Sequence, residues 1–158
     1  EEELTYAQQM AEALSPNEIA AAKEEVKKLA GSFEDTLPID DLAAPFFEEI
    51  IPYEKSKLVM TGSTDVADVS WVIPTAQFFT TCFVFGTPLH TWQLVSQGKT
   101  SLAHKGLLYA GEVLALSAIE LFENPDLITE AKKELLQQTK GQYVNPIPAT
   151  IKPNALGE

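Results

Sequence analysis

Cysteine and histidine are nearly absent from this chain: its 158 residues include one of the former, Cys82, and two of the latter, His90 and His104. A lone cysteine closes no internal disulfide, so a reducing compartment and a cytoplasmic location are expected. There is no Cys-x-x-Cys pair, no phosphate-binding glycine loop and no Gly-x-Ser-x-Gly elbow, so Ser63 and Thr64 do not read as nucleophiles. Basic residues are also few, 11 against 23 acidic ones for a net charge of −12, and they do not cluster. Phosphate binding needs clustered Lys and Arg, so no nucleic-acid partner is expected. An acidic surface does not by itself call for a cationic partner. No apolar run reaches membrane-spanning length, and no membrane partner is expected. The opening Glu1-Glu2-Glu3-Leu4 has neither the basic nor the apolar region of a signal peptide, and it lacks an initiator Met. A processed or truncated start is the expectation.

What is present has the balance of an ordinary globular domain, 45% hydrophobic and 22% charged. Leu4, Ala7, Met10, Ala11 and Leu14 recur at helical spacing over residues 3–14. Ser15-Pro16-Asn17-Glu18 starts a second helix with a capping box and a proline in its first turn, and Gly31 stops it. Ile19, Ala22, Val26 and Leu29 form its apolar face; Lys23, Glu24, Lys27 and Lys28 form a solvated one. Residues 1–35 are thus expected to be a helical hairpin leading into a domain made of residues 36–158. Pro38, Pro45 and Pro52 interrupt the next stretch, where Leu42 to Ile51 predicts a short helix. Glu48 and Glu49 on it would point about 100° apart and would not converge on one site.

Lys57 to Met60 predicts a short strand, and Val66 to Trp71 a short helix capped by Thr64 or Asp65. The aromatic and β-branched run Phe78–Phe85 predicts a strand covered on both faces and ended by Gly86 and Pro88. Ser101 is expected to cap a long apolar helix to about Phe122, buried against a sheet. Asp126 to about Lys140 predicts a last helix, and the proline-bearing tail from Gln142 an extended, fraying end. Helices around a buried strand give an α/β fold, in which sites form where strands end. His90 lies just beyond the Phe78–Phe85 run. Imidazole serves as metal ligand or general base, yet on the residues alone a hydrogen-bonded structural role is the stronger reading. That holds more firmly for His104, in the first turn of a helix. Asp65 and Asp68, three apart, share a helical face on which they could orient a ligand or bind a cation.

Several stretches, however, carry a resemblance. Gly62-Ser63-Thr64-Asp65-Val66, Asp68-Val69-Ser70-Trp71-Val72 and Pro74-Thr75 resemble the C-terminal part of the di-zinc amidohydrolases, the family of aminoacylases and glutamate carboxypeptidases. So do Gly86 through Gly98 and Ala103-His104-Lys105-Gly106. The similarity runs from about residue 50 to 150, and the N-terminal helices match only in character. It implies a portion of a three-layer α/β/α catalytic domain that cleaves N-acyl amino acids or small peptides, with p-aminobenzoyl-glutamate the closest model substrate. It also implies a divalent metal, zinc or manganese, in the complete protein, and a homo- or hetero-oligomer. His90 then corresponds to the family's final metal ligand, which reverses the reading from residues alone. Gly62, Ser63, Thr64 and Asp65 correspond to the turn lining the substrate, with His104 and Asp68 as further candidates.

The departure from the family is large. The family's His-x-Asp motif, its Glu-Glu pair and its further carboxylate ligand have no counterpart here, and the inserted dimerisation domain is missing. Glu48-Glu49 stands at the wrong place in the order. The chain is therefore expected to be a C-terminal fragment that is inactive alone and binds no metal tightly. The alternative is a non-catalytic binding or regulatory module that retains the hydrolase fold; a plain scaffold is a third possibility.

Overall fold

The chain's local signals become helices where the code is local. In the computed structural model, which describes residues 2–42, 45–54, 64–145, 147–148 and 150–151, α1 spans Glu2–Glu12 and α2 spans Pro16–Ala30. The Ser15 capping box forms as expected. The Ser15 backbone N–H donates to Glu18 Oε2 at 2.7 Å, and the Glu18 N–H donates to Ser15 Oγ at 3.3 Å. Gly31 ends α2 with a φ of 56°, donating its N–H to the Lys27 carbonyl, and a 3-10 turn follows over Gly31–Thr36. Short helices α3 (Val66–Ser70) and α4 (Trp92–Gln97) precede the long α5 (Ser101–Glu123) and α6 (Pro125–Thr139). Lys140, left-handed, terminates α6 just ahead of Gly141.

The chain divides into two compact units, the first drawn from Glu1–Thr61 and Phe78–Ser117, the second from Gly62–Gln77 and Ala118–Glu158. In the first, Ala7 and Leu14 from α1 and its C-terminal turn bury Val84, with Met10, Ala11, Ile19 and Phe46 packed around them. The helical face predicted for α1 is the one that faces this core, except that Leu4 is exposed. On the solvated side of α2, Lys27 pairs with Asp40 at 2.8 Å. The second unit contains α3, α6 and the last residues of α5.

The α/β expectation is overturned: among the described residues every regular element is a helix and no strand forms. The Phe78–Phe85 run is non-helical, and its polar groups take partners other than a neighbouring strand. Phe85 N–H donates to the Pro45 carbonyl at 2.7 Å, and Val84 N–H donates to the Gln97 side chain at 2.8 Å. The Thr80 and Thr81 hydroxyls donate to the Gly106 and Phe47 carbonyls. A strand needs a ladder to satisfy its backbone, and these groups are satisfied without one. Phe78 and Phe79 are exposed rather than covered on both faces.

The burial predicted for the long helix fails as well. Leu107, Leu108, Leu114, Leu116 and Phe122 all stand exposed along α5, and the residue it buries is Gly106. The short helix predicted within Leu42–Ile51 is not seen among the described residues, and the strand predicted over Lys57–Met60 lies outside them. Thr100 caps α5 in place of Ser101, its Oγ1 accepting from the Ala103 N–H at 3.2 Å.

Two glycines of α5 differ in what surrounds them. A Cβ on Gly106 would collide with the Thr81 carbonyl oxygen and stand 2.6 Å from Cys82 Sγ, whereas one on Gly111 meets nothing within 4 Å. Gly106→Ala is expected to destabilise by about 1–3 kcal/mol through overpacking. Gly111→Ala is expected to stabilise by up to about 1 kcal/mol from helix propensity. Urea unfolding of both variants checks this, and shifts of the same sign would contradict the packing.

The capping box sets a pH dependence. The Ser15 backbone N–H, then its hydroxyl, holds the Glu18 carboxyl below its ordinary value of 4.5. A depressed folded value means the stabilisation is present above pH 4.5 and is lost as pH falls through the folded value. The urea midpoint of Glu18→Gln is expected to lie below that of the parent at neutral pH, with the gap narrowing as the medium is acidified below pH 4.5. A gap unchanged down to pH 2 would remove the carboxylate from this account.

Candidate functional site

A buried side chain organises the loop that leads to His90. Gln97, the last residue of α4, is 1% exposed. Its Oε1 accepts from the Val84 N–H at 2.8 Å. Its Nε2 donates to Thr87 Oγ1 at 3.0 Å and to the Gln93 carbonyl at 3.2 Å. Thr87 in turn donates its hydroxyl to the Val84 carbonyl at 2.7 Å. Since Val84 N–H can only donate and the Gln93 carbonyl only accept, the carboxamide has one possible orientation.

The far end of the loop is closed by Thr91. Its hydroxyl donates to the Pro88 carbonyl at 2.7 Å and accepts from the Leu94 N–H at 3.4 Å, capping α4. His90 lies between these two ties, exposed, with a φ of 59°. Lys140, the other described residue outside glycine with positive φ, ends a helix, where a left-handed residue is ordinary. His90 ends none. Holding a residue other than glycine in that region costs about 1–3 kcal/mol, and such residues cluster at functional sites. No hydrogen bond to its imidazole occurs among the described residues. Exposed Leu89 and Trp92 stand close to it in sequence on either side.

The remaining candidates divide between the two units. Gly62 and Ser63 lie outside the described residues. Thr64 Oγ1 accepts from the Val66 N–H at 3.3 Å, so threonine rather than Asp65 satisfies the start of α3. Asp65 is exposed and caps nothing. Asp68 accepts from the Tyr143 hydroxyl at 3.1 Å. Desolvation, and then this bond to Asp68, pushes the Tyr143 phenol above its ordinary value. His104 is exposed in the first turn of α5, its backbone N–H bonded to the Thr100 carbonyl. His90 and His104 belong to the first unit, Asp65 and Asp68 to the second.

Among the described residues no group of three His, Cys, Asp or Glu side chains is gathered to hold a metal ion. A catalytic zinc takes about three protein ligands, and the His90 loop offers one imidazole. These residues do not by themselves fit a metal. Sequence reasoning overlooked Gln97, Thr87 and Tyr143. Thr87 and Gln97 lie within the Gly86–Gly98 stretch that carries the resemblance, but nothing there gives either a role, and Tyr143 falls in the tail expected to fray.

No helix among the described residues is long and apolar enough to cross a membrane. No family model matches the chain, and no solved structure does. Among curated proteins, the chain is 40% identical over 156 residues to a subunit of the p-aminobenzoyl-glutamate hydrolase of Escherichia coli (strain K12). That alignment takes in 98% of this chain, so the likeness extends into α1 and α2, beyond the residues whose motifs carry the resemblance. It takes in 32% of the relative: the chain is similar to a hydrolase subunit and spans about a third of that relative's length.

Proposed function

We propose that this chain is the C-terminal part of a metal-dependent amidohydrolase that cleaves N-acyl amino acids, with p-aminobenzoyl-glutamate as the model substrate. The observation that carries the reading is the 40% identity across nearly the whole chain to a hydrolase subunit. On this reading His90 contributes one ligand to a zinc or manganese ion whose other ligands lie outside this chain. Thr64 and Asp65, with Gly62 and Ser63, line the substrate site, and Asp68 and His104 are further candidates for it. The imidazole of His90, exposed and unbonded among the described residues, supports that role, because a ligand has to keep a ring nitrogen free.

The exposed apolar side chains of α5 support a chain that works as part of a larger body. The relative's description as a subunit favours an assembly of unlike chains, and the lone Cys82 favours a cytoplasmic location for it. All eleven basic residues here are lysine. The chain therefore supplies no arginine fork for the carboxylates of an acyl-glutamate. With one ligand available, the chain alone is inactive.

The test is hydrolysis of p-aminobenzoyl-glutamate by the full open reading frame, loaded with zinc or manganese, with and without His90→Ala. Loss of activity on the order of 100-fold or more is expected, since even residues that only support a ligand cost 10–100-fold. Wild-type activity in the variant would remove His90 from the site. The 158-residue chain assayed alone is expected to show no metal-dependent turnover; turnover abolished by His90→Ala would overturn its incompleteness.

A further inference from the structure

We propose that Gln97 is a positioning residue, its buried carboxamide holding the Val84–Thr91 loop in the shape that presents the His90 imidazole. The proposal rests on the reading of His90 as a site residue and adds to it how that residue is held. A carboxamide removed from water must have its polar atoms satisfied, and here the oxygen and both amide hydrogens are bonded. Its three partners are not scattered. Val84 opens the loop, Thr87 lies at its middle and Gln93 belongs to α4 directly after it.

One side chain therefore fastens the start of the loop to the helix that follows its end. The Thr91 hydroxyl on the Pro88 carbonyl closes the remaining gap. The left-handed backbone of His90 falls inside the closed frame, on the stretch from Pro88 to Thr91. An unusual backbone conformation of this kind persists where its surroundings over-determine it. α4 has six residues and would have little hold on the loop through its own backbone. Gln97 supplies that hold.

Shape and hydrogen bonding can be separated by substitution. Gln97→Glu keeps the shape but sets carboxylate oxygens against the Gln93 carbonyl and takes the donor from Thr87. Thr87→Val likewise removes a hydroxyl at constant shape, and Thr87→Ser restores it. The 158-residue chain, labelled on histidine, gives two histidine signals, assigned by the one missing in His90→Ala. In Gln97→Glu and Thr87→Val the His90 Cα shift is expected to leave its left-handed value, and Val84 N–H exchange to speed up. Thr87→Ser is expected to keep both.

In the full open reading frame, kcat for p-aminobenzoyl-glutamate is expected to fall on the order of 10–100-fold in Gln97→Glu with KM little changed, at a temperature where circular dichroism shows the variant folded. Thr87→Ser is expected to recover what Thr87→Val loses. Unchanged His90 shifts in both disruptive variants would overturn the proposal, as would a kcat loss that only follows the folded fraction. Wild-type activity in His90→Ala would instead remove the reading of His90 as a site residue, while the histidine signals would still decide whether Gln97 sets its backbone.

Discussion

A buried backbone N–H without a strand to pair with decides the shape of the first unit. Val84 is fully buried between α1 residues and Phe46, and its N–H lies too deep for water. An unsatisfied donor in such a place costs about 1–3 kcal/mol, a large part of a domain's net stability. Gln97 removes that cost, and the rest of the loop follows from it. Once the carboxamide oxygen is committed to Val84, its nitrogen must find acceptors, and Thr87 and Gln93 stand where it can reach. Gly86, between Val84 and Thr87, turns with a φ of 88°, and a Cβ there would press within 3.2 Å of Leu14 and 3.3 Å of Ile19. The same few residues thus join the apolar core to the polar frame that bears His90.

That division between local and non-local satisfaction also explains what the sequence could tell. The Ser15 capping box, Pro16 and Gly31 specify α2 within a few residues, and the structure follows them. The spans of α3, α5 and α6 were legible for the same reason. The run Phe78–Phe85 was misleading because apolar, β-branched composition reports burial propensity and not a pairing partner. Whether it becomes a strand depends on a second segment alongside, and its backbone groups instead go to Pro45 and Gln97. The six-residue α4 escaped because it is too short for periodicity to register.

The candidate site divides in the same way. The placement of His90 in a loop after an apolar run was readable, as was the weight its scarcity lends it. Its left-handed backbone was not, because no glycine or asparagine stands there; on the proposed reading the hydroxyls of Thr87 and of neighbouring Thr91, with the more distant Gln97 amide, hold it. The closing tyrosine on Asp68 was equally hidden, since 75 residues separate the partners. Of the four residues proposed to line the substrate, Gly62 and Ser63 lie outside the described residues, and Thr64 and Asp65 lie within them.

Composition errs most about α5, and the error has a physical meaning. Its apolar residues run round the helix, a pattern expected of a helix enclosed on all sides. The described residues enclose it closely at Gly106, while Leu116 remains 66% exposed and Phe122 84%. Each such side chain left in water forgoes about 1.5–3 kcal/mol of burial. On the proposed reading, a helix adapted to enclosure that the described residues leave open meets its other surroundings in the rest of the protein, which agrees with a chain matching a third of its relative. The His90 loop shows the same character on a smaller scale. Small-molecule sites are lined predominantly by apolar side chains, and Leu89, Trp92 and Val95 stand exposed near His90 in sequence. On the proposed reading they are walls supplied by this chain to a pocket that other residues complete, and the Gln97 frame keeps them and His90 in fixed relation until it does.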